Sequence, residues 1–217
     1  MSAMYRITSS VILGSALLMA ACEDPAKGKT AAQVAEPVEA APVAAPADTA
    51  VHQFEFSQDG SKLEFVGAKV SLKHDGGFEK FNGTVEVPGD DITKGKVKLE
   101  IDLASVFSDA EKLTGHLKSE DFFHVEKFPK STFESTSVKA AGEPGKYDVT
   151  GNLDLHGVTK SITFPATIAV QGDAVDVNAE FKINRKDFEI VYPGMPDDLI
   201  HDDVVIKFAI KGKKKAG

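Results

Sequence analysis

Tryptophan is absent from this 217-residue chain, tyrosine occurs three times and cysteine once. A lone cysteine excludes an intrachain disulfide, so the fold must be held by its apolar core. The six histidines, His52, His74, His116, His124, His156 and His201, form no HxxxH or HExxH spacing, and with no second cysteine no metal site is expected. Also missing are a Ser-His-Asp arrangement, a glycine-rich phosphate loop and a carboxylate pair at catalytic spacing, so no catalytic residue is assigned and no enzyme is expected. Positive charge is in deficit: 25 Lys and Arg against 33 Asp and Glu give −8, which argues against nucleic-acid binding. The basic KGKKKAG end reads as a solvated tail over 212–217.

Long hydrophobic runs are lacking except at the start. Residues 1–21 carry one positive charge, Arg6, no acid, and an apolar run from Val11 to Ala21, the layout of a secretory signal segment too short to span a membrane. Cys22 follows Ala20 and Ala21, and this resembles the lipobox of bacterial lipoproteins, with Met19 where leucine is usual. The resemblance implies lipidation of Cys22, an anchor in the cell envelope and a periplasm-facing domain. Glu23 in place of the aspartate associated with inner-membrane retention favours the outer membrane. The alternative is an ordinary signal peptide cleaved near Ala21. From Pro25 to Ala50, 14 of 26 residues are Ala or Pro and none is aromatic, so residues 22–51 read as a disordered tether.

From residue 52 the sequence alternates with a period of two, the pattern of strands with one apolar face. Segments at 52–57, 62–71, 78–87, 95–103, 131–139, 146–155, 160–171, 174–184 and 202–211 read this way. Val97, Leu99, Ile101 and Leu103 share a face; so do Tyr147, Val149, Leu153 and Leu155, then Ile162, Phe164, Ala166, Ile168 and Val170. Val175, Val177, Ala179, Phe181 and Ile183, and then Val204, Ile206, Phe208 and Ile210, continue it. Compact reversals are expected at Asp59-Gly60, Asp75-Gly76-Gly77, Pro88-Gly89-Asp90, His156-Gly157 and Gly172-Asp173. Eight or nine antiparallel strands joined by short turns leave an exposed edge unless they close, which predicts an all-β, eight-stranded antiparallel barrel over 52–211. Alternation alone does not separate a filled barrel from one lined around a cavity.

One stretch breaks the alternation, HLKSEDFFHVEKFPKSTFES at His116–Ser135. Upstream, the Ser108 to Glu111 spacing is a capping box for a short helix carrying Leu113 and Leu117, and Ser119 followed by Glu120 and Asp121 is a second cap signal. Phe122 and Phe123 in a polar loop need burial, and plugging one barrel end would supply it. Arg185 and Asp187 are expected to pair and lock a strand end.

HLKSEDFFHVEKFPKSTFESTSV, YDVTGNLDLHGVTKSITFPATI and INRKDFEIVYPG with IHDDVVIKFAI, in that order, resemble signature blocks of the YceI-like family of periplasmic proteins, over roughly 52–211. Glu189 stands where the family commonly has glycine after the Asp-Phe pair. The resemblance implies an extended lipocalin-like antiparallel barrel whose apolar interior holds the tail of a long isoprenoid, quinone-like or fatty amphiphile. Its interior would be lined by Phe65, Leu99, Ile101, Val149, Leu153, Phe164, Ile168, Val177, Phe181, Ile206 and Phe208. The mouth would be formed by His74, His116, Lys118, Phe122, Phe123, Arg185 and Asp187. No cofactor is expected besides that lipid, and a homodimer is compatible with the chain. The competing readings are a quinone- or metal-dependent redox accessory protein and a filled barrel acting through its outer surface.

Overall fold

The structure, a computed structural model, describes residues 24–39 and 50–215; Cys22 and the signal segment lie outside them. In chain order the elements are β1 (Gln33–Ala35), β2 (Val51–Ser57), β3 (Lys62–Ala68), β4 (Lys73–Phe78), β5 (Phe81–Pro88), β6 (Lys96–Asp102) and β7 (Val106–Ser108). Helix α1 (Glu111–Leu117) follows, then β8 (Lys130–Ala140), β9 (Lys146–Leu155), β10 (Val158–Gln171), β11 (Ala174–Asn184), the two-residue strands β12 (Gly194–Met195) and β13 (Asp198–Leu199), and β14 (Asp203–Lys214).

These strands build a closed antiparallel barrel of eight walls. Five walls are single strands: β8, β9, β10, β11 and β14. The other three are each two strands set end to end. Both β2 and β3 run antiparallel to β14, with Glu55 opposite Lys213 and Lys62 opposite Ala209, so they form one interrupted wall. Its neighbour is β4 continued by β5, and the next is β6 continued by β7. The last wall meets the first, so no long edge is left open.

Two of the expected reversals are therefore something else. Asp59-Gly60 is a jog between β2 and β3, which keep the same direction along β14. Asp75-Gly76-Gly77 lies inside β4, and the chain reverses at Lys69–Leu72, where the Lys69 N–H donates to Leu72 O at 2.8 Å. The glycines serve packing: a Cβ on Gly76 would stand 2.4 Å from the Phe65 ring opposite it, and one on Gly77 would stand 2.9 Å from Phe107. His156-Gly157 is the expected two-residue hairpin, with φ of 57° and 77° as a type I′ turn requires.

Helix α1 forms where expected but without a capping box. Its N-cap is Ala110, and Ser108 Oγ instead donates to Ala110 O at 2.8 Å while the Ser108 N–H donates to Thr114 Oγ1 at 2.9 Å. After Ser119 the chain makes successive turns and no second helix.

The largest departure lies in the Ala/Pro-rich stretch. Residues 24–39 are ordered against the barrel rather than tethering it; 40–49 lie outside the described residues. The reason is an incomplete wall. β11 pairs with β10 only over Ala174–Asn178, and beyond that the two strands part, leaving backbone groups unpaired on both. Residues 30–35 fill the gap. The Lys182 N–H donates to Thr30 O at 2.9 Å, the Ala32 N–H donates to Lys182 O at 2.8 Å, and β1 pairs with Ser161–Thr163. Ala32 and Val34 pack on the core, and Ala26 is fully buried in a cluster with Val66 and Val205. Small residues suit such a narrow seam. At the other terminus β14 runs to Lys214 and pairs it with Phe54, so the basic end begins later than position 212.

Candidate functional site

Alternation turns every second side chain of the eight walls inward, yet many inward residues are not fully buried. Leu99, Leu153, Leu155, Val204, Ile206 and Phe208 are all partly exposed. What they face is an internal cavity of about 450 Å³. The barrel is hollow, which the period-two pattern left open.

One end of the cavity is shut. Phe54, Val87 and Val175 are at most 2% exposed and close the barrel beyond Ile168, Val177 and Ile210. Midway, Phe164 stacks on Phe181 with ring centroids 4.4 Å apart and an interplanar angle of 8°, and it meets Phe133 and Phe208 at 5.7 Å each. Such offset or edge contacts let rings pack while presenting apolar faces inward. Along β14 the lining runs from Val204 to Ile210, six strand rises or about 20 Å.

The other end is covered by two loops. Phe122 and Phe123 both line the cavity; Phe122 packs on His116 (4.9 Å) and Tyr192 (5.5 Å), and Phe123 on Phe78 (5.7 Å). The second cover is the segment 189–201 with its β12–β13 ribbon, which brings Ile190, Tyr192, Met195 and Ile200 to the cavity. Sequence reasoning missed it, because VYPGMPDDLI has no period; the apolar residues around its two prolines and glycine, Val191, Tyr192, Met195, Leu199 and Ile200, were the available signal.

Polar groups gather at this mouth, each already matched. His74 Nδ1 lies 2.8 Å from Asp109 Oδ1, and His116 Nε2 lies 2.8 Å from Asp121 Oδ2. Lys69 pairs with Asp198, which also accepts from the Ser71 N–H at 3.1 Å and Ser71 Oγ at 3.0 Å. Burial raises the Asp109 carboxyl, but the His74 ring and the Asp75 N–H more than offset it and hold it below its ordinary value. The Lys69 ammonium does the same for Asp198, opposed by burial and helped by Ser71.

Arg185 is 5% exposed and spans the junction of the wall and the second cover. Its Nη1 donates to Ile190 O at 2.7 Å, Nε to His201 O at 3.1 Å and Nη2 to Asp202 Oδ1 at 3.2 Å. Burial pushes the guanidinium down from its ordinary value while Asp202 pulls it up. Its acidic partner is therefore Asp202, and the expected pair with Asp187 is not formed: the short 3₁₀ turn Arg185–Phe188 turns Asp187 away from it. That turn ends at Glu189 with φ 57°, a left-handed position that glycine would adopt without strain.

Of the residues assigned from sequence, all eleven interior side chains line the cavity, as do His74, His116, Phe122, Phe123 and Arg185. Lys118 and Asp187 do not, the former because it caps the end of α1. Cys22 lies outside the described residues.

A closed eight-stranded antiparallel barrel with an apolar hollow, shut at one end and loop-covered at the other, defines the class of small barrels whose interior can enclose an apolar guest. Residues 54–212 match the model of the YceI-like domain, and the chain belongs to that family. Proteins named YceI from Salmonella arizonae and Salmonella newport are each 40% identical over 121 residues, 53% of this chain and 62% of the relative, so less than two thirds of their length is spanned. Among solved structures, Burkholderia cenocepacia BcnA superposes with a TM-score of 0.65 at 26% identity, covering 72% of this chain and 98% of BcnA. A polyisoprenoid binding domain from Saccharophagus degradans, implicated in plant cell wall breakdown, gives 0.62 at 20% identity, covering 75% and 98%; at that identity the likeness is one of fold.

Proposed function

We propose that the chain binds a long-chain isoprenoid, quinone-like or fatty amphiphile inside the barrel and carries or sequesters it in the cell envelope, facing the periplasm. The observation carrying this reading is the cavity: about 450 Å³, lined from Val204 to Ile210 by aliphatic and aromatic side chains, with polar groups confined to the mouth. Each buried methylene contributes about 0.8 kcal/mol, so an extended apolar tail gains most from such a site. Because the mouth cations and histidines are matched by carboxylates, the head would be held by orientation rather than by a free charge. The polyisoprenoid binding named for the Saccharophagus domain, which shares this fold, supports the ligand class. The function is binding, not catalysis.

Native mass spectrometry of the full chain as processed and purified from a bacterial envelope, followed by organic extraction, tests it. The expected result is a stoichiometric adduct that extracts as an isoprenoid, quinone precursor or fatty compound. Bare protein that takes up none of these when supplied overturns the reading.

A further inference from the structure

Five of the eight large apolar side chains that stand exposed among the described residues lie at the cavity mouth. Val70 (61% exposed) and Leu72 (46%) sit on the β3–β4 turn; Val191 (62%), Met195 (62%) and Leu199 (49%) sit on the second cover. The Val70 N–H donates to Leu199 O at 3.1 Å, so turn and cover form one joined surface, and Met195 also lines the cavity. Scattered exposed apolar residues are ordinary, but a patch continuous with a lipid-sized hollow is not. Among the described residues, the lysines on the patch stand beside acids, Lys69 paired with Asp198 and Lys73 4.0 Å from Asp75, so the patch has no excess positive charge to select anionic headgroups.

The N-terminus points to the occupant. The first described residues lie at the same end: Asp24 Oδ1 is 3.5 Å from His201 Nδ1, and the His201 N–H donates to Ala68 O at 2.9 Å beside the β3–β4 turn. Cys22 stands two residues before Asp24 in the sequence. With residues 24–39 strapped to the barrel, an anchor at Cys22 has no long tether behind it. We infer that the apolar rim at the cavity mouth is a docking face for the surface of a zwitterionic phospholipid bilayer, through which the tail ligand is loaded and released. The inference rests on the carrier reading above and on a lipidated Cys22. Bilayer contact by Val70, Leu72, Val191, Met195 and Leu199 removes the water between membrane and cavity, so a tail passes from one apolar medium to another.

The absence of tryptophan supplies a clean probe. The full chain carrying Met195→Trp, or Ala141→Trp at the opposite end of the barrel, is reconstituted into phosphatidylcholine vesicles containing brominated lipid. The expected result is blue-shifted, strongly quenched emission from Met195→Trp and none of this from Ala141→Trp, unchanged in 1 M salt. Equal quenching at both ends, an unquenched Met195→Trp, or loss of the contrast in salt overturns the docking face. In a second arm, the V70S/V191S/L199S chain, whose three changed residues do not line the cavity, should transfer ligand between vesicles roughly tenfold more slowly, since exposing half of one leucine-sized side chain corresponds to about a tenfold change. Its occupancy when loaded in detergent should match the parent, and unchanged transfer counts against the inference. Failure of the carrier reading shows separately, as bare protein in detergent while the quenching contrast persists.

Discussion

Val177→Phe probes the length of the hollow. Val177 sits opposite Ile168 on β10 and Ile210 on β14, all three facing the deep end of the cavity just short of the Phe54–Val175 closure. A phenyl ring there occupies space that the last carbons of a tail would fill. Displacing a five-carbon unit forfeits about 4 kcal/mol gross at ~0.8 kcal/mol per methylene, and about 2–4 kcal/mol net because the displaced carbons no longer lose freedom on binding. Long tails should therefore bind roughly 30- to 1,000-fold more weakly. Tails shorter by one such unit should bind as before. The ring enters open space, so stability should change by less than about 1.5 kcal/mol. Competition binding with a homologous series of polyisoprenoid or fatty chains, paired with thermal melting, reads both quantities. Equal weakening at every length, or none at any, would refute a blind-ended tunnel and with it the assignment of Val177 to its floor.

Three further outcomes follow from local geometry. Glu189→Gly should raise stability by about 0.5–1 kcal/mol, because a side chain at left-handed φ costs ~1–2 kcal/mol and glycine returns part of that as chain entropy; denaturant melts check it. Gly76→Ala should destabilise by about 1–3 kcal/mol, since the new Cβ would meet the Phe65 ring at 2.4 Å and the Phe107 backbone oxygen at 2.6 Å; a parent-like melting curve would refute the close approach. Because Asp198 is held below its ordinary 3.8, its contribution is fully present above that value and disappears as pH falls through the lowered one; protection of the amides over 191–200, measured relative to intrinsic exchange at each pH, should fall only in that acidic range, and Asp198→Asn should lower it already at neutral pH and flatten the profile.

The walls β8 to β11 and β14 were legible because each is long, uninterrupted and wet on one side. Their inward residues could be named from period alone. The first three walls were harder. Each is broken midway, and in β4 the glycines that admit Phe65 and Phe107 carry the composition of a turn, so a packing signal and a turn signal looked identical. The Ala/Pro-rich segment misled for a different reason. Its own composition cannot supply enough burial to order it, but the partners that do so, Ser161–Thr163 and Lys182, lie more than 120 residues away on strands whose divergence no local pattern announces. Arg185 was recognised as a lock at a strand end, while its acid, Asp202, was masked by a nearer candidate in Asp187. The cavity itself was invisible, since inward alternation is the same whether side chains meet in the middle or stop short.

The wall that closes the barrel joins the first strand of the domain to the last, with Phe54 opposite Lys214 and Leu63 opposite Phe208. No stable ring can exist until the final dozen residues are available, and the chain must bring together points about 150 residues apart before closure rewards the lost freedom. Closure of this domain therefore comes late in its production, and a chain lacking β14 would be a curved open sheet with sticky edges at β11 and at β2 and β3. A hollow that needs every strand to exist has no half-built form in which to hold a tail.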